Sequence, residues 1–212
     1  MAAETTRMDG RVERGNQTRR LVLRRTVDIA SVEGLDALSI GRIATELSLS
    51  KSGVFALFGS KEELQLATIR AASRIYDDTV VRPAMELPEG VGRVTALCAH
   101  WLDYSQGRVF PGGCFFYGVL AEYDAREGAV HDALVQAERW WVAHMERCLA
   151  EARACGELHA DTDVPQLAFE LIAFMEAANA HSVLHGAGDS YVRARAAIVG
   201  RLRGAATVPV EL

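Results

Sequence analysis

The chain has little of what marks the specialised protein classes. Its 212 residues include four cysteines, five prolines and only two lysines, Lys51 and Lys61. Cys98, Cys114, Cys148 and Cys155 form no CxxC pair and are too sparse for a small secreted scaffold, so reduced thiols are expected. No uninterrupted apolar run reaches the ~18 residues that a membrane span requires. Residues 1–15 alternate charge with small residues and do not build an apolar signal core. The expectation is a soluble, cytoplasmic chain with no membrane partner. Runs of alternating apolar and polar residues between turn signals are missing, which argues against a β fold. There is no GxGxxG and no P-loop, and neighbouring Asp77 and Asp78 fall on different sides of a helix. No catalytic constellation is visible, so neither an enzyme nor a cofactor is expected.

Apolar residues make up 50 % of the chain, ample material for a core. The net charge of −5 is unevenly placed: residues 1–70 hold eleven Lys and Arg against nine Asp and Glu, and the remainder holds 12 against 19. An asymmetry of this kind hints that the N-terminal third meets an anion.

Long breaker-poor stretches repeat apolar residues at three- and four-residue spacing, so the chain reads as all-α, with about nine helices. Residues 1–17 read as a flexible basic arm. A helix follows from Thr18 to about Val32, with Val22, Leu23, Thr26, Val27 and Ala30 on its apolar side and Gly34 as its stop. Ser39 stands where an N-cap would, ahead of Ile40, Ile43, Ala44 and Leu47. Ser50 is the next candidate cap, ahead of Val54, Leu57 and Phe58. Ser60 and Glu63 read as a capping box that starts a longer helix reaching about Val80. Further helices are expected near 91–106, 114–124, 127–155, 163–185 and 189–204. The domains read as 18–66 and 67–206, with 207–212 as a tail.

Two short helices joined by a tight turn, the second carrying small polar residues opposite its apolar stripe, form the geometry that seats a helix in the DNA major groove. The run Ser39-Ile40-x-x-Ile43-Ala44-x-x-Leu47, then Ser50 to Phe58, then Gly59-Ser60-Lys61-Glu62-Glu63-Leu64 resembles the tetracycline-repressor (TetR) family of bacterial transcriptional regulators. The resemblance covers about residues 18–66, and it implies a helix-turn-helix head on a helical domain that binds a small molecule and dimerises. Ser50, Lys51, Ser52 and Gly53 fall on the first turn of the reading helix, where hydroxyl, amine and free amides reach base edges and phosphates. Phe55 and Ala56 suit thymine methyls or sugars. Lys61, Ser39, Arg42, Thr45, Thr18, Arg19 and Arg20 are the expected phosphate contacts. Phe55 and Leu57 replace the tyrosine and histidine usual in the family, and Ser48 stands where a glycine is common. Ser48 must therefore carry a Cβ through what is expected to be a left-handed turn.

In the second half, polar and aromatic residues embedded in apolar helices are the candidate ligand contacts: Cys98, Trp101, Tyr104, Phe116, Tyr117, Trp141, His144, Phe169, Ile172, Glu176 and Asn179. The expected effector is a largely apolar small molecule. Leu167, Leu171 and Met175, with Tyr191, Ala194, Ile198 and Leu202, have the spacing of a helix seam and are the expected dimer interface. A homodimer reads two half-sites of a palindromic double-stranded operator. The expected function is a ligand-released repressor. Two alternatives stay open: a metal-responsive regulator using His144 and Cys148, and an α-helical interaction protein that binds no DNA.

Overall fold

The computed structural model describes residues 2–186 and 188–211, with side chains from Glu13 onward. Among these residues every regular element is helical, apart from one isolated antiparallel bridge between Leu158 and Ala206. Helix α1 spans Ala2–Glu33 and a single 3-10 turn spans Leu35–Ala37. Then follow α2 (Ile40–Glu46), α3 (Lys51–Phe58) and α4 (Lys61–Tyr76). A π turn, Asp77–Val81, joins α4 to the short α5 (Arg82–Met85). The second half consists of α6 (Val91–Gln106), α7 (Phe115–Tyr123), α8 (Ala129–Ala154), α9 (Val164–His185) and α10 (Asp189–Arg203). The α4, π and α5 segments run on without a break, and with them taken as one rod the count is the nine expected.

The first helix starts far earlier than the expected arm allows, because residues 1–17 contain no proline and are rich in Ala, Glu and Arg, all good helix formers. Gly34 ends it with φ 85°, a left-handed value that a glycine adopts without strain. The side chains of Ser39, Ser50, Ser60 and Asp163 accept the amides of Arg42, Gly53, Glu63 and Gln166, so each starts its helix as an N-cap. The expected box at Ser60 closes on one side only: the Ser60 amide donates to Phe58 O (2.9 Å), leaving Glu63 to pair with Arg70.

The π turn has a local cause. Pro83 has no amide to donate and its ring would collide with the carbonyl four residues back in a regular helix. Widening the previous turn relieves this, and the Arg82 amide reaches back to Asp77 O.

Val22, Val27, Ile43, Val54 and Phe58 pack the head with Leu35, Leu38 and Leu64, while α6, α8, α9 and α10 enclose Leu97, Leu102, Met145, Leu171 and Ile198. α9 is long and apolar enough to cross a membrane by length and composition. Here one side of it is packed against α6, α8 and α10. The segment after α10 is tied down and does not form a free tail: Thr207 N donates to Glu157 O (2.9 Å), and Val210 is buried.

Candidate DNA-reading face and effector cavity

The α2–α3 corner turns on Ser48, which has φ 53°, the left-handed value expected of it. With Val54 and Phe58 pointing into the core, α3 presents Lys51, Ser52, Gly53, Phe55 and Ala56 outward, and Phe55 is 56 % exposed. Ser39 and Thr45 on α2 are exposed as well.

Several cations that the sequence offers to phosphate are held by the protein itself. Arg42 grips Glu33 (2.6 and 2.8 Å) and Glu46 (2.8 Å), and Arg25 adds a second bond to Glu46 (2.6 Å). The Arg42 bond is the main reason that both carboxyls lie below their usual pKa. Arg19 donates to Leu57 O (2.7 Å) and lies over the Phe58 ring at 4.6 Å, so it braces α3 against α1. Thr18 donates to Arg14 O within α1. Lys61 donates to Asp36 O (2.8 Å) and pairs with the Asp36 carboxylate at 3.3 Å. The exposed Lys51 makes no ion pair among the described residues.

Asp36 is one half of a bracket joining the head to the second domain. Its carboxylate also accepts from Arg126 (2.5 Å) and Tyr123 (3.3 Å), and the Arg126 bond does most to lower its pKa. The other half is Glu122 on α7, whose carboxylate accepts the amides of Leu35 (2.7 Å) and Asp36 (2.9 Å), two free amides at the start of the 3-10 turn. Beside them Gln65 on α4 donates to Leu35 O (2.9 Å) and Tyr123 Oη (3.1 Å). Before α7, the Pro111-Gly112-Gly113 turn lies directly on α1: Gly112 N donates to Ser31 Oγ (3.1 Å), and a Cβ at Gly112 would collide with the Ser31 carbonyl.

Between α4, α6, α7, α8 and α9 lies a cavity of about 820 Å³, within the size range of small-molecule sites. Of the expected contacts, Trp101, Phe116, Tyr117, Trp141, Ile172 and Glu176 line it. The other five lie elsewhere. Cys98 is fully buried in the core, and burial lifts its thiol to about 12. Tyr104 stands behind Tyr76, with ring centroids 5.5 Å apart, and its hydroxyl accepts from Phe115 N. Asn179 is a structural bracket, its Oδ1 accepting from Ser105 Oγ and Cys114 N (both 2.8 Å). Phe169 points out of the subunit, 69 % exposed.

His144 lies beneath Trp140 with centroids 5.0 Å apart and accepts from Arg147 at Nδ1 (2.7 Å). A guanidinium only donates, so the ring proton sits on Nε2, facing Cys148 Sγ at 3.8 Å. Burial, followed by the Arg147 charge, lowers the His144 pKa and keeps the ring neutral. No group of three His, Cys, Asp or Glu able to hold a metal is found among the described residues.

Residues missed in the sequence include a run on α4 and the π turn: Leu66, Ile69, Ser73, Tyr76, Asp77 and Asp78 also line the cavity. Tyr76 is its hub, edge-on to Tyr104, Phe116 and Trp141 at 5.3–5.8 Å. The signal available was the spacing 66, 69, 73, 76, which sets Leu66, Ile69 and Tyr76 with Ser73 along one side of α4.

The seven residues expected at the dimer seam are all buried within the subunit's own core. What α9 and α10 turn outward is different: the exposed Phe169, Ala177 and Leu184, with the half-buried Ala173 and Ala180, follow one helical stripe, and the exposed Val192 and Ala196, with the half-buried Val199, another. Leu184 is 78 % and Val192 68 % exposed.

No curated protein matches the chain. Solved structures do. It superposes on a TetR-family transcriptional regulator from Streptomyces coelicolor with TM-score 0.75 and 24 % identity, covering 95 % of each chain. A protein from Saccharomonospora viridis solved in complex with choline gives TM-score 0.75 at 18 % identity, over 89 % of this chain and 96 % of that one. AibR, solved with isovaleryl coenzyme A and operator DNA, gives 0.67 at 16 %, over 88 % and 97 %. Residues 22–68 match the N-terminal domain of bacterial regulatory proteins of the tetR family, and residues 90–198 match a tetracyclin repressor-like C-terminal domain. With both halves of the architecture matched in sequence and in fold, the chain belongs to the TetR family of transcriptional regulators.

Proposed function

We propose that this protein is a homodimeric repressor released from DNA by a small molecule. One observation carries the effector response: α7 serves both sites. Phe116, Tyr117 and Leu120 face the cavity, while Glu122 and Tyr123 hold the corner between α1 and α2. A ligand that prefers a displaced α7 shifts the head through that bracket, and its differential affinity for the two positions is all that release requires. In this reading α3 enters the major groove, Lys51 and Ser52 meet base edges, and Phe55 and Ala56 lie against methyls or sugars. Ser39, Thr45 and the Ser50–Gly53 turn approach phosphates. Lys61 and Arg42 act at one remove, by fixing the angle of the head.

The outward stripes of α9 and α10 are the surfaces assigned to the second subunit, because apolar faces of this length are seldom left to water. The neighbours' ligands, choline and isovaleryl coenzyme A, carry opposite charge, so the fold does not dictate the effector and the lining side chains must.

The test is selection from a randomised duplex library, followed by fluorescence anisotropy at two salt concentrations. Salt-sensitive binding to a palindrome is expected, with Lys51→Ala weakening it about tenfold and, because each subunit loses one cation, reducing the salt slope by about 2. Failure to enrich any sequence, or a Lys51→Ala protein identical to the parent, overturns the reading.

A further inference from the structure

We propose that the cavity recognises a lipophilic cation, with Glu176 as the counter-charge and the rings of Trp101, Tyr76, Trp141 and Tyr117 as its cage. This deepens the proposal of an effector-released regulator and rests on it.

Glu176 lies on α9 in the cavity wall, half-buried, and makes no hydrogen bond or ion pair among the described residues. Burial, with the Glu138 charge across the cavity adding to it, pushes its pKa up. A carboxylate drawn out of water without a partner is an unmet demand for positive charge.

The other charges around the cavity do not meet that demand. Arg82 is taken by Asp78 and Asp77 at the rim, and Arg70 pairs with Glu63 (3.9 Å). Arg74 lies exposed on the last turn of α4, at the cavity's outer edge. No cation therefore neutralises Glu176 from within.

A second observation points the same way. The Tyr76 hydroxyl is buried beside the cavity with no partner in good hydrogen-bond geometry, the Trp101 indole offering it only a weak bond. It lies close enough to feel the Glu176 charge, while the Trp101 indole pulls its pKa weakly the other way. A buried polar atom with no good partner is rare in a native interior and marks a place where a ligand completes the bonding. Aromatic faces attract a cation, tryptophan most strongly, and a water-poor cavity strengthens that attraction. An anion would meet Glu176 and Glu138, and a neutral apolar molecule would bury Glu176 further with nothing in return.

The probes are tetraphenylphosphonium and tetraphenylborate, two permanent ions of the same shape and opposite charge. Binding to the full-length protein is read by quenching of tryptophan fluorescence. Tetraphenylphosphonium is expected to bind at least tenfold more tightly than tetraphenylborate. Its affinity should rise with pH as Glu176 ionises, since neither probe titrates. Glu176→Gln, which breaks no internal bond, should cost at least tenfold for the cation and flatten the pH dependence. Melting curves confirm that the variant folds. Equal affinity for the two ions, or full affinity for the cation in Glu176→Gln, overturns the assignment.

The same samples are run on the selected DNA duplex. If DNA binds but the cation neither binds nor releases it, this inference fails while the regulator stands. If the cation binds through Glu176 and no DNA is bound, the regulator reading fails and the site remains.

Discussion

Ser48 carries its Cβ through a left-handed turn, a conformation that disfavours any L-residue by ~1–2 kcal/mol, partly offset by the greater chain freedom a glycine loses on folding. Ser48→Gly should therefore stabilise the protein by about 0.5–1 kcal/mol, seen as a higher melting temperature. An unchanged or lower value would show that the serine is held by something more than its backbone. The poorly partnered hydroxyl of Tyr76 gives a second test. Tyr76→Phe removes a buried polar atom that has no partner in good hydrogen-bond geometry and should raise the stability of the empty protein by about 1 kcal/mol, measured by denaturant unfolding. At this scale the sequence is legible wherever the physics is local. Ser39, Ser50 and Ser60 read as caps because a cap is decided within four residues. Arg42 and Lys61 read as phosphate contacts because their charge is visible, whereas their partners Glu33 and Asp36 lie 9 and 25 residues away and are brought close only by the fold.

Elements are held to each other by groups that titrate. Glu33, bonded to Arg42 across α1 and α2, and Glu46, bonded to Arg42 within α2 and to Arg25 on α1, have their pKa values lowered in the folded chain. A depressed carboxyl pKa contributes stability that is fully present above the unfolded value and lost as pH falls through the folded one. Melting temperature should thus hold steady down to about pH 5 and drop below it, and the drop should shrink in Arg42→Gln, where the shift has lost its main cause. An identical acid profile in that variant would remove Arg42 from the account. Helix boundaries are legible because periodicity and caps agree. The π turn is not, since a proline announces a disturbance without saying whether the helix will break or widen. The inner and outer faces of α9 are equally opaque: the helix is apolar on most sides, so spacing alone cannot say which stripe meets its own subunit.

For the whole molecule, the outward stripes make a direct prediction. Replacing both Phe169 and Leu184 with Glu should leave the fold intact, because both side chains are exposed within the subunit. It should convert a dimer into a species of 23.1 kDa in light scattering, with operator affinity lost in parallel. A dimer that survives both charges would place the seam elsewhere. The bracket at Glu122 predicts a different outcome: Glu122→Ala should keep DNA binding and lose much of the effector response, seen as anisotropy that no longer falls when ligand is added. A response equal to the parent's would show that α4 alone carries the signal. α7 also bears on how such a protein diversifies. Its nine residues hold the side chains that face the ligand and those that grip the head, only one turn apart. A mutation that retunes which molecule is recognised will often alter how strongly recognition is transmitted. Genetic screens for new specificity should then recover non-inducible and constitutive alleles interleaved along the same short helix, and a lineage acquiring a new effector would need a compensating change at Glu122, Tyr123 or Asp36.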